Sequence, residues 1–263
     1  IIQRAASLAT FFYLASLYFY IKSRLFNPGA GKLNTGKFYY SFSLITAVMA
    51  MFTKEIAITL PLMIILIEYC FFDKEKGNWR KVFPFLGMLL IIPLALLIAK
   101  SADPELNNKL LGYKPDITAL SYFFTELRVI ITYIRLLFLP INQNLDYDYP
   151  VAKSLFELPI LSSLALIIII LILAVRAYPR FKIISFSIFW FFLTLLPESS
   201  VMPIQDVIFE HRLYLPMAGF AIFIAGMVYY AIGRKSLLTA VLILFLTVNW
   251  YSASAYSRNL DWV

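Results

Sequence analysis

One cysteine and one histidine among 263 residues leave the chain little with which to hold a metal or close a disulfide. Cys70 lies in an apolar run and reads as a small buried hydrophobe, and a zinc site around His211 alone would have to be carboxylate-rich. No metal and no other cofactor is expected. Charge is also scarce, at 14% of residues, where soluble domains carry about 25%. There is no P-loop, no G-x-S-x-G elbow, no H-E-x-x-H and no Gly-rich dinucleotide loop, so the usual soluble chemistries have no motif to rest on. What fills the chain instead is apolar: 61% hydrophobic residues and a mean hydropathy of +0.79. Apolar segments of roughly 15–20 residues recur along it, near the length that crosses a hydrocarbon core of about 30 Å. The composition implies an all-α, polytopic transmembrane helical bundle, one transmembrane domain over residues 1–263.

Eight spans are expected, near residues 5–21, 38–52, 56–72, 82–98, 158–175, 183–196, 213–232 and 237–250. A ninth apolar stretch, 121–139, carries Glu126, Arg128 and Arg135. Charge counting decides its place. If it does not cross, loops 22–37, 73–81, 176–182 and 233–235 share one side and hold thirteen Lys/Arg against two Asp/Glu. Short basic loops face the cytoplasm. The stretch is therefore expected as an amphipathic helix on the outer membrane surface. The net charge of +8 follows from this bias and from contact with anionic membrane lipids, and no nucleic-acid partner is expected.

Four polar clusters then fall on the outer face. Lys54-Glu55 occupies a tight turn between spans, either contacting a lipid-linked phosphate or forming a solvated helix cap with a snorkelling lysine. Arg128 and Arg135 are two helical turns apart on one face, where guanidiniums suit phosphate recognition or plain headgroup anchoring. Asn142-Gln143-Asn144-Leu145-Asp146-Tyr147-Asp148-Tyr149-Pro150 gathers side chains that hydrogen-bond and stack on sugars, or forms an ordinary polar loop. The fourth is the densest: Gln205, Asp206, Glu210, His211 and Arg212 lie between two long apolar runs, with Tyr214 just beyond. An acid, an imidazole and a guanidinium at the mouth of a membrane helix are costly to keep there and mark a functional site. His211 titrates near neutrality and suits phosphate binding or proton transfer.

Three stretches carry a resemblance: Phe52-Thr53-Lys54-Glu55-Ile56-Ala57-Ile58-Thr59-Leu60-Pro61; Arg128 onward to Tyr149-Pro150; and Asp206-Val207-Ile208-Phe209-Glu210-His211-Arg212-Leu213-Tyr214-Leu215-Pro216. In this order they resemble the membrane portion of bacterial relatives of the transmembrane and tetratricopeptide-repeat O-mannosyltransferases. E-H-R-x-Y-L-P is the most specific part. The closing Arg258-Asn259-Leu260-Asp261-Trp262-Val263 resembles the junction at which that family passes into tetratricopeptide repeats.

The resemblance implies a GT-C glycosyltransferase fold. The implied activity takes a sugar from a polyprenyl-phosphate donor and passes it to an acceptor protein or glycan on the outer face of the bacterial inner membrane, facing the periplasm. Because the chain opens on Ile1, it reads as an internal piece, with the first spans and the general base upstream and the repeats downstream. Lys54, Arg128, His211 and Arg212 are then the expected donor-phosphate contacts. Glu55, Asp146, Tyr147, Asp148, Gln205, Asp206, Glu210 and Tyr214 are the expected sugar or acceptor contacts. Two other classes stay open: a lipid-linked sugar flippase or other transporter, and a catalytically silent membrane anchor for repeats.

Overall fold

The computed structural model describes residues 4–26, 35–72, 79–102, 117–144, 147–199, 207–232 and 236–260. Regular structure among them is helical throughout: α1 (Arg4–Leu25), α2 (Thr35–Thr53), a 3-10 turn (Glu55–Thr59) entering α3 (Leu60–Phe71), α4 (Trp79–Met88), α5 (Ile91–Ala102), α6 (Ala119–Phe138), α7 (Leu158–Ala177), α8 (Lys182–Leu195), a second 3-10 turn (Glu210–Leu213) entering α9 (Tyr214–Ile232), and α10 (Leu237–Leu260). Three stretches are long and apolar enough to cross a membrane: Leu158–Ala177, Glu210–Ile232 and Leu238–Ser257. On α7 the buried residues are Ile160, Ser163, Ile167 and Ala174, one narrow stripe, while Ile168, Ile169, Ile172 and Leu173 face outward. A helix that shows isoleucine and leucine to its surroundings suits hydrocarbon and not water. The chain is a helical membrane protein.

It divides into two units, Ile1–Tyr113 with Leu193–Glu198, and Lys114–Phe192 with Ser199–Val263. In the first, α1 buries Ala6, Ala9, Tyr13, Ser16, Leu17, Tyr20 and Ser23, a stripe at three- and four-residue spacing. Against it α2 sets Ser43, Ala47 and Ala50, small residues that let the two backbones approach. The contact is sealed reciprocally: Ser16 Oγ donates to the Ser43 carbonyl at 2.9 Å, and Ser43 Oγ to the Ser16 carbonyl at 2.8 Å. Glu68, an acid on apolar α3, is buried but partnered. Arg24 at the end of α1 grips it bidentately, Nε to Oε1 at 2.6 Å and Nη2 to Oε2 at 3.0 Å, and Tyr20 OH donates to Oε1 at 2.7 Å. The charge thus costs far less than it would alone.

The stretch 82–98, expected as a span, is two helices and not one. A turn at Leu89-Leu90 separates α4 from α5, closed by Leu89 N–H to the Leu86 carbonyl at 3.1 Å and Leu90 N–H to the Gly87 carbonyl at 3.2 Å. Pro93 is the physical reason. It has no N–H to offer the Leu89 carbonyl four residues back, and its ring collides with that carbonyl in a continuous helix.

In the second unit α6 begins where Thr118 caps it, the threonine side chain accepting from Ser121 N–H at 3.2 Å. Its buried face runs Tyr122, Thr125, Glu126, Val129, Ile130, Tyr133, Leu136 and Leu137. Two glycines on α9, Gly219 and Gly226, are seven residues apart on one face, where a Cβ would meet Trp190 and Ile183 of α8. Trp190 also donates its indole N–H to the Leu215 carbonyl at 2.9 Å, which locks α8 to the start of α9.

Candidate functional site

The Glu210–Leu213 turn is built from outside itself. Phe209 enters it in an extended conformation, φ −139° and ψ 129°. Tyr133 of α6 fixes that entry from both sides, accepting from Phe209 N–H and donating to the Phe209 carbonyl, each at 3.0 Å. Next, Glu210 Oε1 accepts from Tyr147 OH at 2.7 Å and from Asn144 N–H at 2.8 Å, so one carboxylate oxygen ties both residues to the turn. Residues 149–152 are laid along α6. Tyr149 OH lies 3.2 Å from Thr132 Oγ1, the Arg128 guanidinium sits 5.1 Å from the Tyr149 ring centre, and Ala152 N–H donates to Thr125 Oγ1 at 2.9 Å.

Arg212 points inward from the turn. Nη1 donates to the Val207 carbonyl at 2.9 Å and lies 3.3 Å from Glu126 Oε1, with Tyr122 OH at 3.5 Å. Glu126 sits on the apolar stripe of α6, and its Oε2 finds no hydrogen-bond partner among the described residues. Burial pushes its carboxyl up from 4.5 to about 7. Arg212 opposes this most, and the Ser199 and Tyr122 hydroxyls oppose it less. Burial likewise pushes the Tyr147 phenol up to about 12, helped by its bond to Glu210 and opposed by Asn144 N–H and Arg135.

The predicted site residues therefore divide. In the second unit the structure joins Tyr147 to Glu210 and, two residues on, sets Tyr149 under the Arg128 guanidinium. His211 is half-buried with its ring 4.8 Å from that of Phe209, Arg135 and Asp148 are exposed, and Tyr214 is exposed at the top of α9. Arg212 is buried against Glu126. In the first unit Lys54 Nζ is ion-paired with Glu198, and Glu55 is exposed at the start of its 3-10 turn. Asp146, Gln205 and Asp206 lie outside the described residues.

No protein-family model, curated protein or solved structure matches the chain. The site must therefore be read from its own geometry.

Two carboxylates escaped sequence reasoning as site residues, Glu126 and Glu198, and each partners a cation that was expected to face a phosphate. Glu126 did carry a signal. It falls four residues after Tyr122 and three before Val129, so a helix puts it on the apolar face, where an acid needs a cation. Among the described residues no three His, Cys, Asp or Glu side chains gather closely enough to hold a metal ion. Elsewhere in the second unit, α6, α7, α8 and α9 line an open apolar crevice of about 260 Å³, with Phe138, Leu173, Phe191, Phe192, Phe220 and Phe223 among its residues.

Proposed function

We propose that this chain is the membrane portion of a GT-C-type glycosyltransferase, related to the transmembrane and tetratricopeptide-repeat O-mannosyltransferases. In this reading it moves a sugar from a polyprenyl-phosphate carrier to an acceptor hydroxyl on the outer face of the bacterial inner membrane. The observation that carries the reading is the clasp of Tyr147 and Asn144 on Glu210 of the E-H-R turn, with Tyr149, two residues beyond Tyr147, against Arg128 of α6. A lipid-linked sugar phosphate asks for cations and hydroxyl-binding groups at one place. Arg128, Arg135 and His211 are the cations of the proposed site, and Glu210, Tyr147 and Asp148 are its sugar-facing groups. Arg212 serves by holding the turn on Glu126. The crevice of phenylalanines and leucines supports an isoprenoid carrier, because an apolar chain gains by filling it.

The reaction is a displacement at the anomeric carbon. The acceptor oxygen forms the new glycosidic bond, the bond from that carbon to the phosphate oxygen breaks, a carboxylate takes the acceptor proton, and the lipid phosphate departs with its negative charge. The eight-span arrangement, with α6 on the outer surface and the basic loops inside, belongs to this reading. The test is transfer by the purified full-length protein from a panel of polyprenyl-phosphate sugars. Transfer that falls about tenfold or more in Arg128→Ala and Arg135→Ala supports the reading, since a charge-assisted contact is worth roughly 1.5–3 kcal/mol. Transfer with none of the donors, from protein that still folds and inserts, leaves the flippase or the silent anchor.

A further inference from the structure

The second unit has another concavity, with a lining that shares no residue with the apolar crevice. Its floor and walls come from the turn after α6, with Ile141, Asn142 and Gln143, and from the later part of α10, with Trp250, Ser254 and Ser257; its volume is about 480 Å³. The two walls are held in place. Tyr251 donates its hydroxyl to the Leu137 carbonyl at the end of α6, and its ring meets Phe220 edge-on with centres 6.4 Å apart. Asn142 adopts the left-handed conformation, φ 54°, which asparagine tolerates better than most residues and which swings the chain across the end of α6.

The chemistry of the lining is specific. Every described residue lining this space is uncharged. The Asn142 and Gln143 amides, the Trp250 indole N–H and the Ser257 hydroxyl make no hydrogen bond to any described residue, so donors and acceptors of both kinds are open. Trp250 is 49% exposed. A half-exposed indole offers an apolar face beside a polar edge. Trp250 could be explained as a membrane-interface anchor. An anchor, however, needs only its own ring at headgroup depth, not a concavity with two free amides across from it.

We propose that this crevice binds a neutral pyranose, its ring face on Trp250 and its hydroxyls on Asn142, Gln143 and Ser257. The volume falls within the range of about 300–1,000 Å³ that small-molecule sites occupy. The lack of charge among the described lining residues favours a neutral sugar over uronates, sialic acids and the sugar phosphate itself. The crevice is thus a site for the sugar of an acceptor glycan or of the donor, and no arginine is among its described lining residues. The inference rests on the transferase reading only for the fate of that sugar, not for its binding.

Binding is tested apart from transfer. The full chain is placed in phosphatidylcholine nanodiscs, free of glycoside detergents that would compete. Saturation-transfer NMR is then recorded with methyl mannoside, methyl glucoside and N-acetylglucosamine, and with glucuronate and glucose 6-phosphate as charged controls. At least one neutral sugar should bind saturably, weaken about tenfold in Trp250→Ala and in Gln143→Ala, and keep its affinity in Trp250→Phe. All of these positions are at least partly exposed, so the variants should fold, and an unchanged unfolding midpoint checks this. Binding that ignores Trp250→Ala, equal binding of a charged control, or no binding of any neutral sugar overturns the proposal. Transfer measured on the same samples separates the two readings: sugar binding without transfer removes the transferase reading and keeps the crevice, and transfer without crevice-dependent binding does the reverse.

Discussion

The guanidinium of Arg212 meets the carboxylate of Glu126 at 3.3 Å, although 86 residues separate them and their side chains are only 2% and 1% exposed. This contact joins α6 to the turn that opens α9. Breaking such a pair costs more than forming it gains, because the surviving charge stays buried without a partner. Arg212→Ala should therefore lower stability by about 3–5 kcal/mol, while Arg212→Met with Glu126→Leu should recover most of the loss. Unfolding midpoints of the two single variants and the double variant decide this. A single variant as stable as the parent would show that the pair does not hold the turn.

The same carboxylate sets a pH dependence. Folding raises the Glu126 pKa from 4.5 to about 7, so between those values the folded state holds the proton more tightly than the unfolded chain. The stability this group contributes is thus complete below pH 4.5 and is lost as pH rises towards 7. The difference in unfolding midpoint between the parent and Glu126→Gln should change across that window and level off on either side. A difference that stays constant from pH 4.5 to 7 would contradict the raised pKa.

Glu210 should hold Asn144 and Tyr147 in place. Replacing it with Gln, or Tyr147 with Phe, weakens or removes a charge-assisted bond of 2.7 Å. Amide exchange at Asn144, whose N–H donates to the same oxygen, should speed up about tenfold or more, in line with roughly 1.5–3 kcal/mol per bond to a charged group. Unchanged exchange in both variants would mean that other contacts hold these residues.

Gly219 has no room for a side chain, since a Cβ there would run into the Trp190 ring. Gly219→Ala should cost about 1–3 kcal/mol through overpacking, and Trp190→Leu should relieve it in the double variant. Thermal unfolding of the four proteins forms the cycle, and additive losses would argue against a direct clash.

Topology is open to labelling once Cys70, the chain's only cysteine, is replaced by alanine. Asp148→Cys should react with a membrane-impermeant thiol reagent in intact cells, and Lys182→Cys should react only after permeabilisation. Labelling of Lys182→Cys from outside would reverse the orientation.

How far the sequence could be read depended on the range of the forces involved. Helix positions were legible because they follow from local features. Thr118 caps α6, and uninterrupted apolar runs make α7 and α9. The break at Leu89-Leu90 was just as local, through Pro93, but the apolar count over 82–98 outweighed it. Pairings between distant residues were not legible. Lys54 and Arg212 look alike in sequence, each a cation beside a glutamate at the start of a helix, yet Lys54 pairs with Glu198 and Arg212 with Glu126, not with their neighbours Glu55 and Glu210.

The sequence by itself determined that this is a helical membrane protein and that its charges collect in a few blocks, because both follow from composition and from spacing within one helix. Tertiary structure alone decided which of those charges are spent and which stay at the surface. Glu126 becomes the partner of Arg212, Glu210 becomes the clasp of Tyr147, and Asn142 and Gln143 are left facing Trp250. The reason is physical: a buried charge must find its counter-ion in space, and the packing of α6 against the start of α9 brings an acid from 86 residues away nearer to Arg212 than any simple rule of sequence spacing could place it.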